Sequence, residues 1–269
     1  MAALYLFLIA PRIGNAKTDM SMLDHRLFAH RGLYNPQKHV PENSLDAFSC
    51  AVDLGYGIEL DVRLSKDGKL FIFHDDTLQR MCGDPRSIEG MTSSEIGTMK
   101  LADTESSIPT FSDVLSLVAG KVPIIAEIKC KHKCSLICDE IDRVLKSYSG
   151  DYCIESFNPF VVRRYKKHRK NVVMGQLSGC FGRKGTFIGT LGNFLLGNLF
   201  VNVISRPDFI AYRLQDNRNI SFRLCRSLFD ATTVAWTVRS EDELKKANSI
   251  CDSVIFEGFI PKESDKRYS

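Results

Sequence analysis

The sequence predicts an α/β chain folded as a TIM-type (β/α)8 barrel with a small insertion on one rim. Three observations predict it. Short runs rich in β-branched and aromatic residues alternate with helix-like stretches from residue 27 onward, the pattern of βα units around a parallel sheet. Two of these runs are joined by a link too short for a parallel return. Acidic residues gather at the ends of runs, where a barrel of this kind places its active site.

Strands are expected near 27–30, 57–62, 70–74, 123–129, 152–156, 172–176, 208–212, 233–238 and 253–257. That is one run too many for eight strands. The excess lies in GIELDVRLSKDGKLFIFHDD, where only a short polar link with the turn signal Lys66-Asp67-Gly68 separates two runs. A parallel crossover takes about a dozen residues or more, so this segment must be a hairpin. Its start is therefore brought back beside its end. Residues 76–110 carry the loop signals Gly83, Asp84, Pro85 and Gly90 and a capped helix candidate at Thr92-Ser93-Ser94-Glu95, which reads as the insertion. The expected organisation is a lead-in at 1–26, a barrel at 27–260 that contains this insertion, and a tail at 261–269.

Composition narrows the function classes. Thirty-six basic against thirty-two acidic residues leave a net charge of +4, too little to argue for nucleic acid without a localised patch. The nine cysteines include no CxxC pair, and free thiols in a reducing, cytoplasmic setting fit them. Cys130, Cys134 and Cys138 recur every four residues and, with His132, could share a helix face; small-residue packing accounts for them more simply than a metal does. The apolar segment 2–11 is about half the ~20 residues of a membrane span and has no basic region before it, which speaks against a cleaved signal peptide. The stretch 186–204 is uncharged, but its three Gly and three Asn favour a buried or interfacial helix over a span. The basic run 163–170 reads as a solvated helix face.

The chemistry sits at strand ends. Glu59 and Asp61 lie two apart in a strand and project to one side, and the same spacing recurs at Glu127 and Lys129. Inward charges are costly there unless they serve a function. Three converging carboxylates make a hard-oxygen site suited to one divalent cation, Mg2+ or Ca2+. His30 ends the first run and His74 the hairpin, and two imidazoles beside a divalent cation can supply a general acid and a general base. Arg31 adds a bidentate donor for phosphate and Lys129 a point charge. Gly32 lets the backbone approach closely after the strand.

The blocks AHRG (29–32), PENS (41–44), IELDVRLSKDG (58–68), FHDD (73–76), IPTFSDVL (108–115), AEIK (126–129), ESFNP (155–159) and AWTV (235–238) resemble, in order, the signature blocks of glycerophosphodiester phosphodiesterases. The resemblance spans nearly the whole chain from residue 28. It implies His30 and His74 as the acid/base pair, Glu59, Asp61 and Glu127 as metal ligands, and Arg31 and Lys129 on the phosphate. It also implies a small insertion after the second histidine. Trp236, near the end of a late strand, is expected to wall the glycerol or alcohol pocket. Two departures from the family pattern are Ser44, where Thr is usual, and the FEGFIP ending around Glu257.

The implied substrate is a small glycerophosphodiester, hydrolysed to glycerol 3-phosphate and an alcohol. The alternatives are a lysophospholipase D or sphingomyelinase D type of enzyme on the same barrel, or a catalytically silent lipid-binding protein. Peripheral membrane contact through 2–11 and 186–204, aided by the basic run 163–170, is a further expectation. It requires the two apolar segments to share a face.

Overall fold

The computed structural model describes residues 1–12, 19–182 and 187–262. Residues 13–18 of the expected lead-in, 183–186, and the expected tail from 263 onward lie outside the described residues. The strands are β1 (Leu27–His30), β2 (Gly57–Leu64), β3 (Leu70–Ile72), β4 (Ile124–Ile128), β5 (Tyr152–Ser156), β6 (Val173–Ser178), β7 (Phe209–Arg213), β8 (Thr232–Val238) and β9 (Ser253–Phe256). The helices are α1 (Ala2–Ile9), α2 (Leu45–Asp53), α3 (Gln79–Cys82), α4 (Ser93–Ile96), α5 (Phe111–Val118) and α6 (Cys134–Leu145). They continue with α7 (Pro159–His168), α8 (Phe187–Gly197), α9 (Asn202–Ser205), α10 (Ile220–Phe229) and α11 (Glu241–Asn248).

The sheet order is β1-β9-β8-β7-β6-β5-β4-β2-β3, and β1 also pairs with β2. This is the strand order of a TIM-type barrel with one strand added at the hairpin. The added strand is β3, antiparallel to β2 with Val62 opposite Ile72. The described residues divide into two compact units, one of residues 27–152 with 256–260 and one drawn from residues 1–12, 19–26, 153–182, 187–255 and 261–262.

In the 27–152 unit, β2 is buried from Gly57 to Arg63, as expected of a strand with parallel neighbours and both faces covered. Its register fixes the chemistry. His30 of β1 lies opposite Glu59, and Asp61 lies opposite Glu127 of β4. Residues 76–110 build a small core against β3, with Leu78, Met81, Ile88 and Met91 packed on Phe71 and Phe73. The turn after β2 is tied to this segment by Asp67, which accepts from Ser65 Oγ and from Ser93 N and Oγ at 2.7–2.9 Å. Thr92 and Glu95 form the capping box expected at the start of α4, worth about 1 kcal/mol.

In the 153–255 unit, the uncharged stretch forms α8 and α9 between β6 and β7. The apolar lead-in is a helix, and only its last residue, Ile9, is fully buried, among Leu199, Ile210, Tyr212, Phe222 and Cys225. The basic run closes α7, where Lys166 pairs with the buried Asp208 at 2.6 Å. Cys130 and Cys134 are joined by a disulfide, so they are not the free thiols their scatter suggested, and Cys138 is buried in α6. Among the described residues, no helix is long and apolar enough to cross a membrane.

Candidate active site

The turn after β1 sets the first group. Arg31 and Gly32 both take left-handed backbone angles, φ 58° and 79°. A side chain at Gly32 would meet the backbone of Ala47 at 2.8 Å, so α2 packs on the turn only because position 32 is glycine. Ser44 caps helix α2, its Oγ accepting from Ala47 N. Just before it, Asn43 (φ 54°) turns its side-chain amide inward to donate to Asp61 Oδ2 at 2.8 Å.

Glu59, Asp61 and Glu127 are all buried and offer oxygens within 4.8 Å of one another. Two cations face them. Lys129 Nζ lies 2.8 Å from Glu127 and 3.1 Å from Asp61, and Arg31 Nε lies 3.6 Å from Asp61. Burial opposes ionisation of Asp61, but Lys129, His74 and Arg31 outweigh it and hold its carboxyl well below the usual range. Glu127 goes the other way: burial pushes it up, Lys129 pulls it back, and Asp61 raises it further. The Lys129 ammonium is held above its ordinary range by Asp61 and Glu127, in spite of its burial. A third carboxylate in so small a space is one negative charge too many for the side chains present. A bound divalent cation would keep all three ionised, so the donor set fits one.

Two imidazoles flank the triad. His30 Nδ1 hydrogen-bonds Glu257, which also accepts from Tyr34 Oη at 3.2 Å, while His30 Nε2 lies 3.9 Å from Glu59. His74 Nδ1 bonds Asp75 Oδ1 at 2.7 Å. Asp75 is held at about 2, because Arg80 and His74 outweigh its partial burial. A carboxylate can only accept, so each ring carries its proton on Nδ1 and leaves Nε2 for chemistry. Burial lowers the His74 pKa, Asp61 raises it, and Lys129 and Arg31 lower it further.

Seven of the eight residues singled out in the sequence therefore lie in one unit: His30, Arg31, Glu59, Asp61, His74, Glu127 and Lys129. Trp236 belongs to the other unit, half-buried in β8, where its ring meets Phe157 at 5.6 Å and Phe181 at 6.3 Å. Sequence reasoning assigned no role to Glu42, Asn43, Arg63, Asp75 or Glu257. Glu42 receives both Arg31, at 2.8 Å, and Arg80, at 2.6 Å. The buried Arg63 donates to the carbonyls of Phe73 and His74 and to Glu89. The available signals were the acidic neighbours in PENS and FHDD and the Glu that follows the last strand.

Known proteins resemble this chain over most of its length. Residues 30–178 match the model of the glycerophosphoryl diester phosphodiesterase family. A glycerophosphodiester phosphodiesterase of Caldanaerobacter subterraneus is 33% identical over 168 residues, which cover 57% of this chain and 67% of that protein. The crystal structure of a glycerophosphodiester phosphodiesterase from Thermotoga maritima superposes with a TM-score of 0.64 at 25% identity, covering 86% of this chain and 93% of that one. A phosphodiesterase from Oleispira antarctica, solved with its product sn-glycerol-3-phosphate, shares the fold at a TM-score of 0.70 and 21% identity, over 86% of this chain and 92% of that one. With more than half its length matched by the family model and the buried triad within the matched segment, the chain belongs to the glycerophosphoryl diester phosphodiesterase family.

Proposed function

We propose that this glycerophosphodiester phosphodiesterase releases glycerol 3-phosphate and an alcohol by using one divalent cation, Mg2+ or Ca2+, on Glu59, Asp61 and Glu127, with His30 and His74 as the acid/base pair. One observation carries the reading: three buried carboxylates stand beside two imidazoles, each fixed at Nδ1 by its own carboxylate. When bound, the cation would neutralise a non-bridging phosphate oxygen and lower the pKa of an attacking hydroxyl. Lys129 and Arg31 add positive charge for the same phosphate.

One histidine Nε2 takes the proton of the attacking hydroxyl, and the other gives a proton to the departing alcohol oxygen. If the substrate's own glycerol 2-hydroxyl attacks, the new P–O bond makes a cyclic phosphate as the bond to the alcohol breaks. Water then opens the ring, with the two histidines exchanging roles.

Glycerophosphocholine should be hydrolysed, EDTA should stop the reaction, and added Mg2+ or Ca2+ should restore it. Glu59→Gln, Asp61→Asn and Glu127→Gln should each weaken divalent binding by roughly a hundredfold or more while leaving the fold intact. Turnover that survives EDTA treatment would end the metal reading.

Trp236 is part of the proposal as a substrate-contacting residue, on the strength of its strand-end place and of a ring system shared with Phe157 and Phe181. It is the chain's only tryptophan, so its fluorescence should respond to saturating glycerol 3-phosphate; an unchanged spectrum assigns the ring to packing alone. A cytoplasmic location fits the scattered cysteines, while the Cys130–Cys134 bridge counts against it. Thiol counting on protein alkylated during cell lysis decides between them.

A further inference from the structure

Both uncharged segments fall in the 153–255 unit and meet there. Phe200, which follows α8, packs its ring against Tyr5 of α1 at 5.7 Å and against Phe194 of α8 at 6.0 Å. Asn202 donates to Ile9 O at 2.7 Å and Arg206 to Phe7 O at 2.8 Å, so α1 is fastened along the α8–α9 segment. Helix α10 joins them through Tyr5 Oη and Ser221 Oγ, 2.8 Å apart, and through Asn219, which donates to Asn198 at 3.3 Å.

This packing buries little of what the two helices carry. Leu4 and Phe7 remain 61% and 52% exposed, and Leu191 and Phe194 remain 46% and 56% exposed. Each pair is three residues apart and so forms a stripe on one side of its helix. Clusters of large exposed apolar side chains mark contact surfaces.

The segments that carry these stripes hold charge of one sign, with Asp208, Asp216 and Asp230 at their edges. Segments 1–12, 187–207 and 218–229 contain no Asp or Glu and five arginines, Arg12, Arg206, Arg218, Arg223 and Arg226. Arg12 pairs with Asp208 at 3.8 Å. The Arg206 guanidinium lies over the Phe7 ring, 4.5 Å from its centre, which sets a cation beside an exposed aromatic.

We propose that the face made by α1, α8 and α10 docks on an anionic lipid bilayer, with Leu4, Phe7, Leu191 and Phe194 entering the interface and the arginines meeting lipid phosphates. A second copy of the chain is a poorer occupant. A two-fold contact would set these arginines against one another, and the segments that carry them supply no acid to answer them. The helices are too short to span, so they lie along the surface. The inference does not depend on the catalytic reading, because vesicle binding is measured whether or not the protein turns over substrate.

The test is co-sedimentation of the full chain with phosphatidylcholine vesicles, with and without phosphatidylglycerol. Binding is expected only to the anionic vesicles and should weaken as salt is raised. The double variant Phe7→Glu and Phe194→Glu should bind roughly tenfold less, with unchanged hydrolysis of a soluble diester. A milder pair, Leu4→Gln and Leu191→Gln, serves if the first variant melts early. No sedimentation, equal binding to neutral vesicles, or binding indifferent to both variants overturns the proposal. So does a wild-type dimer that either variant converts to monomer, since the face would then be a self-association surface.

Discussion

At the scale of single residues, the site is built from carboxylates that do different work according to their neighbours. Asp61, beside Lys129, His74 and Arg31, stays ionised against its burial, whereas Glu127 is pushed up by its burial and further by Asp61. Asp75 and Glu257 hold imidazoles. Asp75→Asn separates orientation from charge, because the amide oxygen can still accept from His74 Nδ1–H. The hydrogen bond to the Asp75 carboxylate raises the His74 pKa, and a neutral amide in its place favours the imidazolium less, so the substitution must lower it. The limb of the pH profile of kcat/KM that His74 carries should therefore move to lower pH. A profile that keeps both limbs would detach Asp75 from catalysis. The triad and the histidines could be picked out in the sequence because period-two spacing and strand ends are local features. Glu257 could not be given a role, because its partner His30 is 227 residues away, and Glu42 links Arg31 to Arg80, which is 38 residues away.

At the scale of elements, the β2–β3 hairpin decides where His74 goes. A link of a few polar residues forces an antiparallel return, and the register then sets Phe71–Ile72 against Val62–Arg63. Arg63 completes the arrangement. It is buried, it donates through Nη2 to His74 O at 2.7 Å and through Nε to Phe73 O at 3.2 Å, and its Nη1 pairs with Glu89 of the 76–110 segment. The guanidinium thus clamps the backbone that carries the imidazole. Arg63→Lys keeps a charge but loses the fork and should lower kcat by about 10–100-fold with a smaller change in KM. Steady-state kinetics check this, and a change confined to KM would assign Arg63 to substrate binding instead. The hairpin was legible from strand count and turn chemistry. The clamp was not, because a charged residue in an alternating strand reads by default as solvent-facing, and only the covering segment makes it buried.

At the scale of the whole molecule, the order of βα units was legible because each strand of a parallel barrel is a short apolar run between turn signals, and nine such runs match β1 to β9. The N-terminal segment was harder. Its eight helical residues are apolar all round, so no period distinguishes helix from strand or tail, and only Ile9 is fully buried. Its attachment is nonetheless specific: Ile9 is wholly enclosed, and its carbonyl accepts from Asn202 and lies 3.3 Å from Cys225 Sγ. Ile9→Ala should therefore cost about 2–4 kcal/mol by emptying a packed site between α1 and α9–α10. The exposed Leu4 and Phe7 lose no such packing when shortened. Thermal melts of Ile9→Ala and Leu4→Ala separate the two roles, with a clear drop in Tm expected for the first and little change for the second. If the two melt alike, the helix rests on the unit without stabilising it, and burial of Ile9 does not hold the segment in place.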